Sequence, residues 1–338
     1  MWSIQVLLTV MVVWRPPLSY SLQYSENTRA DRFLSLFTVV RFKNSECKSL
    51  GSDVGICYSY PECRRGGGHG SGHCAEGYGS CCITTLGCSS STSNNCTYVE
   101  SPGYPSTFND AATCTHTITF PANVCQVRMD VVEVDLAPPT TQGNCIDDGL
   151  TFSQDIKWEK VCGTTTDTHF YLDVDSSVST SLTLTFNTGT ASYPRKWKVR
   201  LCQICCDQIS LAPSGCGQYF TVPAGTIKGW NYGGIYLSGQ NYAICVRREL
   251  NKCSTTYQDL RDSKFVPICG DTLEWPYPVS GGGPPSSVTC VHTPTFVDPA
   301  PFTIPLQGPN YMYLVTKDAS NDHSIATNIY YSFTQNSC

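Results

Sequence analysis

Apolar and polar side chains alternate with a period of two through most of this chain, in short stretches broken by turn residues. In the clearest case Val127, Met129 and Val131 alternate with Arg128 and Asp130; the phase slips at Val132 and resumes through Val134 and Leu136, as in a strand carrying a bulge. Similar runs are Leu182, Leu184 and Phe186, then Trp197, Val199 and Leu201. Further along come Tyr242, Ile244 and Val246, then Tyr311, Tyr313 and Val315, and finally Ile329, Tyr331 and Phe333. Turn signals such as Asp147-Asp148-Gly149 and Asn187-Thr188-Gly189 separate the runs, and no convincing helical period intervenes. Many short strands with regular turns predict an all-β chain of antiparallel sandwiches.

Three stretches depart from this pattern. Residues 1–21 contain the apolar run Val6 to Trp14, the length of a signal-peptide core and too short for a spanning helix, and are expected to be a cleaved leader. Residues 22–46 carry no cysteine and read as a linker or pro-segment. The run Arg64-Arg65-Gly66-Gly67-Gly68-His69-Gly70-Ser71-Gly72-His73 is glycine-rich enough to predict a loop. No later segment has the roughly twenty apolar residues of a membrane span.

Cysteine usage sets the compartment. There are 21 cysteines in 338 residues, which indicates cross-linking in an oxidising, extracellular setting. Cys47 to Cys82 is too short a module to bury a sufficient core and needs disulfides to hold it. Two sets of six follow: Cys88, Cys96, Cys114, Cys125, Cys145 and Cys162, then Cys206, Cys216, Cys245, Cys253, Cys269 and Cys290. They predict two related larger domains. Cys202, Cys205 and Cys338 fall outside the sets, and the odd total leaves at least one thiol unpaired within the chain, open to a covalent dimer. Without the leader, and so without Arg15, 21 basic residues face 27 acidic ones, a net charge of −6 that opposes nucleic-acid binding.

The run Cys96-Thr97-Tyr98-Val99-Glu100-Ser101-Pro102-Gly103-Tyr104-Pro105, followed by Cys114, resembles a CUB domain, with Ser-Pro-Gly-Tyr-Pro as the most specific part. Cys145, Cys162 and the closing strands through Phe186 and Trp197 extend the resemblance over residues 88–201. Residues 206–334 are similar to a divergent CUB-like repeat. The module at 47–82, ending in the adjacent Cys81-Cys82, resembles the clip module of secreted arthropod proteins; with the two repeats it resembles a lineage of arthropod CUB proteins that lack a protease domain. The resemblance implies a clip-like module followed by two jelly-roll sandwiches. It also implies the pairs Cys47–Cys81, Cys57–Cys74, Cys63–Cys82, Cys88–Cys114 and Cys145–Cys162, leaving Cys96 for Cys125. Cys269 and Cys290 are expected to staple the ends of a loop at 279–287.

Catalytic and metal motifs are scarce. The chain has no Gly-Asp-Ser-Gly-Gly-Pro, no Gly-x-Ser-x-Gly and no His-Glu-x-x-His, so no enzyme is expected. His116 and His169 fall in strands and read as strand residues rather than general bases. His69 and His73 have zinc-like spacing, but the neighbouring cysteines are expected to be bonded, and the pair reads as solvated. Many CUB domains bind calcium; here Asp148 alone matches a ligand position, so Asp147 and Asp148 read as a turn cap. Cys202-Gln203-Ile204-Cys205 has redox spacing at the end of a strand, where a structural bridge is expected. Asn95-Cys96-Thr97 is a sequon whose middle residue is expected to be bridged, so that its glycosylation depends on modification preceding disulfide closure, and Tyr219, Tyr232 and Tyr236 near Trp230 read as core or end-of-sandwich aromatics.

No cofactor is expected. The chain reads as a secreted, non-enzymatic binding protein for an extracellular protein or matrix, with no membrane span and no nucleic-acid partner. Its working surface is placed at the loops around Asp147, Asp148 and Gly149, Asn187 to Ser192, and Gly281 to Ser287. The rival functions are a cofactor of an extracellular serine-protease cascade and a structural component of matrix or cuticle. Short connections between the modules suggest a fairly rigid rod.

Overall fold

The computed structural model describes residues 40–154, 157–260, 272–274, 301–306, 310–316 and 329–338. The expected leader, most of 22–46, Cys269, Cys290 and the loop at 279–287 lie outside the described residues. The chain divides into two compact units, with the boundary between Ile83 and Thr84.

In the N-terminal unit, β1 (Glu46–Lys48), β2 (Val54–Tyr58), β3 (His69–Cys74) and β4 (Gly79–Ile83) form one antiparallel sheet in the order β1-β2-β4-β3. Disulfides Cys47–Cys81, Cys57–Cys74 and Cys63–Cys82 replace the apolar core that so short a module cannot build. A short helix, α1 (Tyr60–Arg65), follows β2; it starts where the Glu62 carboxylate accepts from the Ser59 N–H at 3.0 Å. Of the expected glycine loop only Gly66, Gly67 and Gly68 are loop, because Arg64 and Arg65 end α1 and His69–Cys74 is strand β3. Glycine serves close approach here: a Cβ on Gly70 would lie 2.2 Å from Ser80 Oγ, and one on Gly79 would lie 2.5 Å from Cys57 Sγ and 2.7 Å from Cys74 Sγ.

The second unit holds two sandwiches. The first has one sheet of β10 (Gly149–Phe152), β12 (Ser181–Thr188), β8 (Ala112–Thr119) and β6 (Ser90–Thr92), in that order. It faces a sheet ordered β11 (Thr164–Asp173), β9 (Val124–Asp135), β13 (Lys196–Cys205), β7 (Thr97–Glu100) and β5 (Thr85–Leu86). Met129, Leu184, Phe186, Trp197, Val199 and Leu201 meet between them, fully buried, with Phe186 stacked on Trp197 at 4.2 Å. The phase slip is a real bulge. Lys198 pairs with Glu133 and Val199 with Val131, so Val132 has no partner on β13 and turns outward.

The second sandwich pairs a sheet of β14 (Cys216–Phe220), β16 (Gln240–Val246), β20 (Tyr311–Thr316) and β18 (Thr272–Glu274) with one of β15 (Ala224–Lys228), β21 (Tyr330–Ser337), β17 (Lys252–Asp259) and β19 (Phe302–Pro305). Tyr242, Ile244, Tyr331 and Phe333 point into its core. On β20 the inward face is Met312 and Leu314, not the expected Tyr311, Tyr313 and Val315. Both faces of that strand are apolar enough to alternate, and tyrosine tolerates the outer one because its hydroxyl stays wet.

The cysteine sets are corrected in the same way. Cys88–Cys114 and Cys145–Cys162 are bonded, but Cys96 joins Cys202 and Cys125 joins Cys206, whereas Cys96–Cys125 was expected. Neighbouring strand ends decide this. β13 runs between β7 and β9, bringing Cys202 beside Cys96 and Cys206 beside Cys125. Cys206 therefore belongs with the first sandwich. The second sandwich has Cys216–Cys245 and Cys253–Cys338, and Cys205 is the free cysteine among the described residues. The Cys202/Cys205 spacing forms no bridge of its own.

The two sandwiches share one core. Trp158, in the connection between β10 and β11, is buried against Phe170 at 5.4 Å and against Trp230 and Tyr242 of the second sandwich at 6.5 and 5.4 Å. Phe170 stacks on Trp230 at 4.2 Å. Polar pairs close the seam: the Gln126 side chain donates to Ala212 O at 3.0 Å and accepts from Ala212 N at 2.8 Å, Thr164 N donates to Asn231 Oδ1 at 3.1 Å, and Gln218 Nε2 donates to His169 O at 3.2 Å. Within residues 84–338 the two sandwiches thus form one compact unit with a continuous core. Tyr232 and Tyr219 serve the seam, through Thr166 Oγ1 at 3.0 Å and against the Tyr171 ring, while Tyr236 is buried.

Candidate binding surface

The turn at Asp147-Asp148-Gly149 leads into β10, and the connection from Asn187 to Ser192 leaves β12, so the β10–β12 pairing brings the two together. What fixes them is an ion pair with no exposure on either side chain: Arg195 Nε donates to Asp148 Oδ2 at 2.7 Å. The same carboxylate accepts from Ala137 N at 2.7 Å and Gly189 N at 2.9 Å. The rest of the guanidinium donates to the carbonyls of Asn109, Tyr193, Gly189 and Ala191 at 2.8 to 3.2 Å, so all five of its N–H groups are used. Burial alone would raise the Asp148 pKa; the bonds from Arg195 and the two backbone N–H groups outweigh it and hold the carboxyl below its usual value.

This arrangement settles what Asp148 can do. A divalent cation needs oxygen ligands that face it, and both Asp148 oxygens are taken by donors, one of them a guanidinium. Asp148 does not fit a calcium site. It is a structural clamp, and Arg195, which sequence reasoning missed, is its other half. Asn187 is half-buried and accepts from Thr113 Oγ1 at 2.9 Å, tying β12 to β8. Asp147 is exposed beside Ile146, which is 69% exposed, and Cys145 is bonded to Cys162. The clamp and the disulfide thus hold an exposed apolar residue and an exposed carboxylate on a fixed turn. A Cβ on Gly189 would come within 2.7 Å of Asp147 O, so glycine is what lets the second loop lie against the first.

The other residues singled out above have structural surroundings. His116 is buried against Phe186, and burial pushes its pKa down to about 4. His169 sits in the seam with Nε2 2.9 Å from Tyr219 O; burial, then the Arg128 charge, lowers it to about 4. His69 and His73 are exposed on β3. Asn95 Oδ1 accepts from Cys96 N at 2.8 Å and Gln203 N at 2.7 Å, so the sequon amide is engaged with the backbone of β13.

The family described as CUB domain matches residues 88–201, and that described as Animal CUB domain matches residues 213–280. The chain therefore carries two CUB domains, within an almost wholly β, disulfide-rich fold. Among solved structures it is similar to the CUB1-EGF-CUB2 domain of human MASP-1/3, with 13% identity, 72% of this chain and 100% of that chain covered, and a TM-score of 0.28. It is similar also to the CUB1-EGF-CUB2 domains of rat MASP-1 (15% identity, 74% and 99% covered, TM-score 0.27). A third similar structure is the full extracellular region of zebrafish Gpr126/Adgrg6 (12%, 73% and 36%, TM-score 0.30). No curated protein matches. CUB domains mediate extracellular protein–protein interactions, and nine disulfides among the described residues accord with that setting. No helix among the described residues is long and apolar enough to cross a membrane.

Proposed function

We propose that this chain is a secreted, non-enzymatic binding protein that engages an extracellular protein through the loop pair of its first CUB domain. The observation that carries the reading is the exposed Ile146–Asp147 turn, held from beneath by the buried Asp148–Arg195 pair and from the side by Cys145–Cys162. A turn that is already rigid loses little entropy on binding, so an apolar anchor beside a carboxylate is worth more there than on a free loop. The N-terminal unit, with its Cys47–Cys81, Cys57–Cys74 and Cys63–Cys82 bonds, serves in this reading as a clip-like second contact.

The test is affinity capture from native extracellular fluid with the thiol-blocked chain as bait, repeated with Ile146→Ser/Asp147→Ala. A partner lost by the double variant supports the reading. Capture undiminished by it removes the loop pair from the function. A protease or zymogen among the partners would make the chain a cascade cofactor, and a matrix adduct released only by reduction would make it structural.

A further inference from the structure

The outward face of β20 is left with the tyrosines that the alternation had placed in the core, and they border a groove of about 680 Å³ on the second CUB domain. Its floor is Ala243 and the Cys216–Cys245 disulfide, its walls carry Tyr219, Tyr311 and Tyr313, and Arg247 and Arg248 stand at one end. The volume is that of a site for a compact ligand or a short chain segment rather than for a whole domain face. The rings of Tyr219 and Tyr311 are half-buried and their hydroxyls have no protein partner among the described residues, whereas the Tyr313 hydroxyl donates to Asn241 Oδ1. Such a wall offers ring faces to aliphatic groups and hydroxyls to peptide N–H and C=O groups at low entropic cost.

Charge decides the occupant. Arg247 is paired with Glu249 at 2.8 Å, so it adds no free charge to the groove. Arg248 is exposed; among the described residues it spends only its Nε, on Lys252 O at 3.1 Å, and meets no carboxylate. One open guanidinium fork beside an apolar, hydroxyl-edged trough matches a segment with an acidic side chain next to aliphatic ones. A sulfated polysaccharide repeats its charge and needs a track of free cations, which one arginine in a chain of net charge −5 does not supply.

We infer that this groove is a peptide-binding site that takes an extended, acidic-aliphatic segment of a partner protein, its carboxylate on Arg248 and its aliphatic side chain over Ala243 and the disulfide between the tyrosines. It lies on the second CUB domain and uses none of the loop residues of the first.

A random octapeptide library displayed on phage, selected on the full chain, tests this. Selected peptides should be enriched in Asp or Glu adjacent to Leu, Ile, Val or Pro. Synthetic copies should bind with affinity that falls about tenfold or more on Arg248→Glu and on Tyr311→Ser, by fluorescence polarisation. Selection on Arg248→Glu should switch the preference to Lys or Arg; Arg248 is exposed, so this variant leaves the core untouched. Peptides insensitive to both substitutions, peptides with no acidic preference, no recovered peptides, or groove-dependent binding of heparin oligosaccharide in their place would each overturn the site. Ile146→Ser should leave peptide binding unchanged, so a failed loop surface and a failed groove give different results.

Discussion

Asp148 and Arg195 show how a side chain can be noticed for one job and hold another. Both lie at zero exposure in contact with each other, and removing either leaves a buried charge without its counter-charge. Arg195→Ala or Asp148→Ala should each cost about 3 to 5 kcal/mol in denaturant unfolding with disulfides intact. The double variant should cost clearly less than the sum. A loss near zero for either single change would show the pair to be solvated. His116 and His169 are held neutral by burial with pKa values near 4, whereas an unfolded histidine titrates near 6.5. The folded state therefore binds fewer protons than the unfolded one in that window. Their stabilising share is complete above about pH 6.5 and is lost as pH falls towards 4. Unfolding midpoints measured from pH 7.5 down to 4.5 should fall, and His116→Leu should flatten part of the slope.

At the scale of elements, periodicity was readable where one face is apolar and the other is not. The run from Val127 to Leu136 disclosed both strand and bulge, since only Val132 breaks phase. Tyr311 to Thr316 did not disclose its inner face because both faces are apolar, and packing of Met312 and Leu314 against the opposite sheet chose between them. Glycine misled for a related reason. In β3 and β4 Gly70 and Gly79 make room for the Ser80 hydroxyl and for the Cys57–Cys74 sulfurs rather than for a bend, and those neighbours are invisible in the sequence. α1 had a legible signal, the Ser59-Tyr60-Pro61-Glu62 capping box, which the absence of a long helical period obscured. Gly79→Ala should prove costly, about 1 to 3 kcal/mol, because its Cβ meets the Cys57–Cys74 sulfurs and cannot be relieved by turning a flexible side chain. The check is protease resistance of the N-terminal unit, which should fall while that of residues 84–338 stays unchanged.

Across the larger unit, Trp158 joins what the sequence presents as two modules. It leaves a connection of the first sandwich and fills a place among Phe170, Trp230 and Tyr242, so the cores of the two CUB domains are continuous. Calorimetry should then show residues 84–338 unfolding in one transition, and Trp158→Ala should remove about 3 to 5 kcal/mol and split it in two. Two separate transitions in the unaltered chain would mean that the seam is weak. Of the candidate surface, the loops at Asp147 and Asn187 were legible as turns. Their rigidity was not, since Arg195 lies 47 residues from Asp148 in the chain.

By itself the sequence determined the class of fold, the disulfide-rich character and the strand content, because alternation, turn residues and cysteine number are local or compositional properties. It also determined the resemblance that the family matches over residues 88–201 now carry. Only the tertiary structure decided the partners: Cys202 for Cys96, Cys206 for Cys125, Arg195 for Asp148, and Trp230 and Tyr242 for Trp158. Each of those choices depends on which strand ends and loops come together in space. Strand order sets that, and a period of two within one strand says nothing about its neighbour.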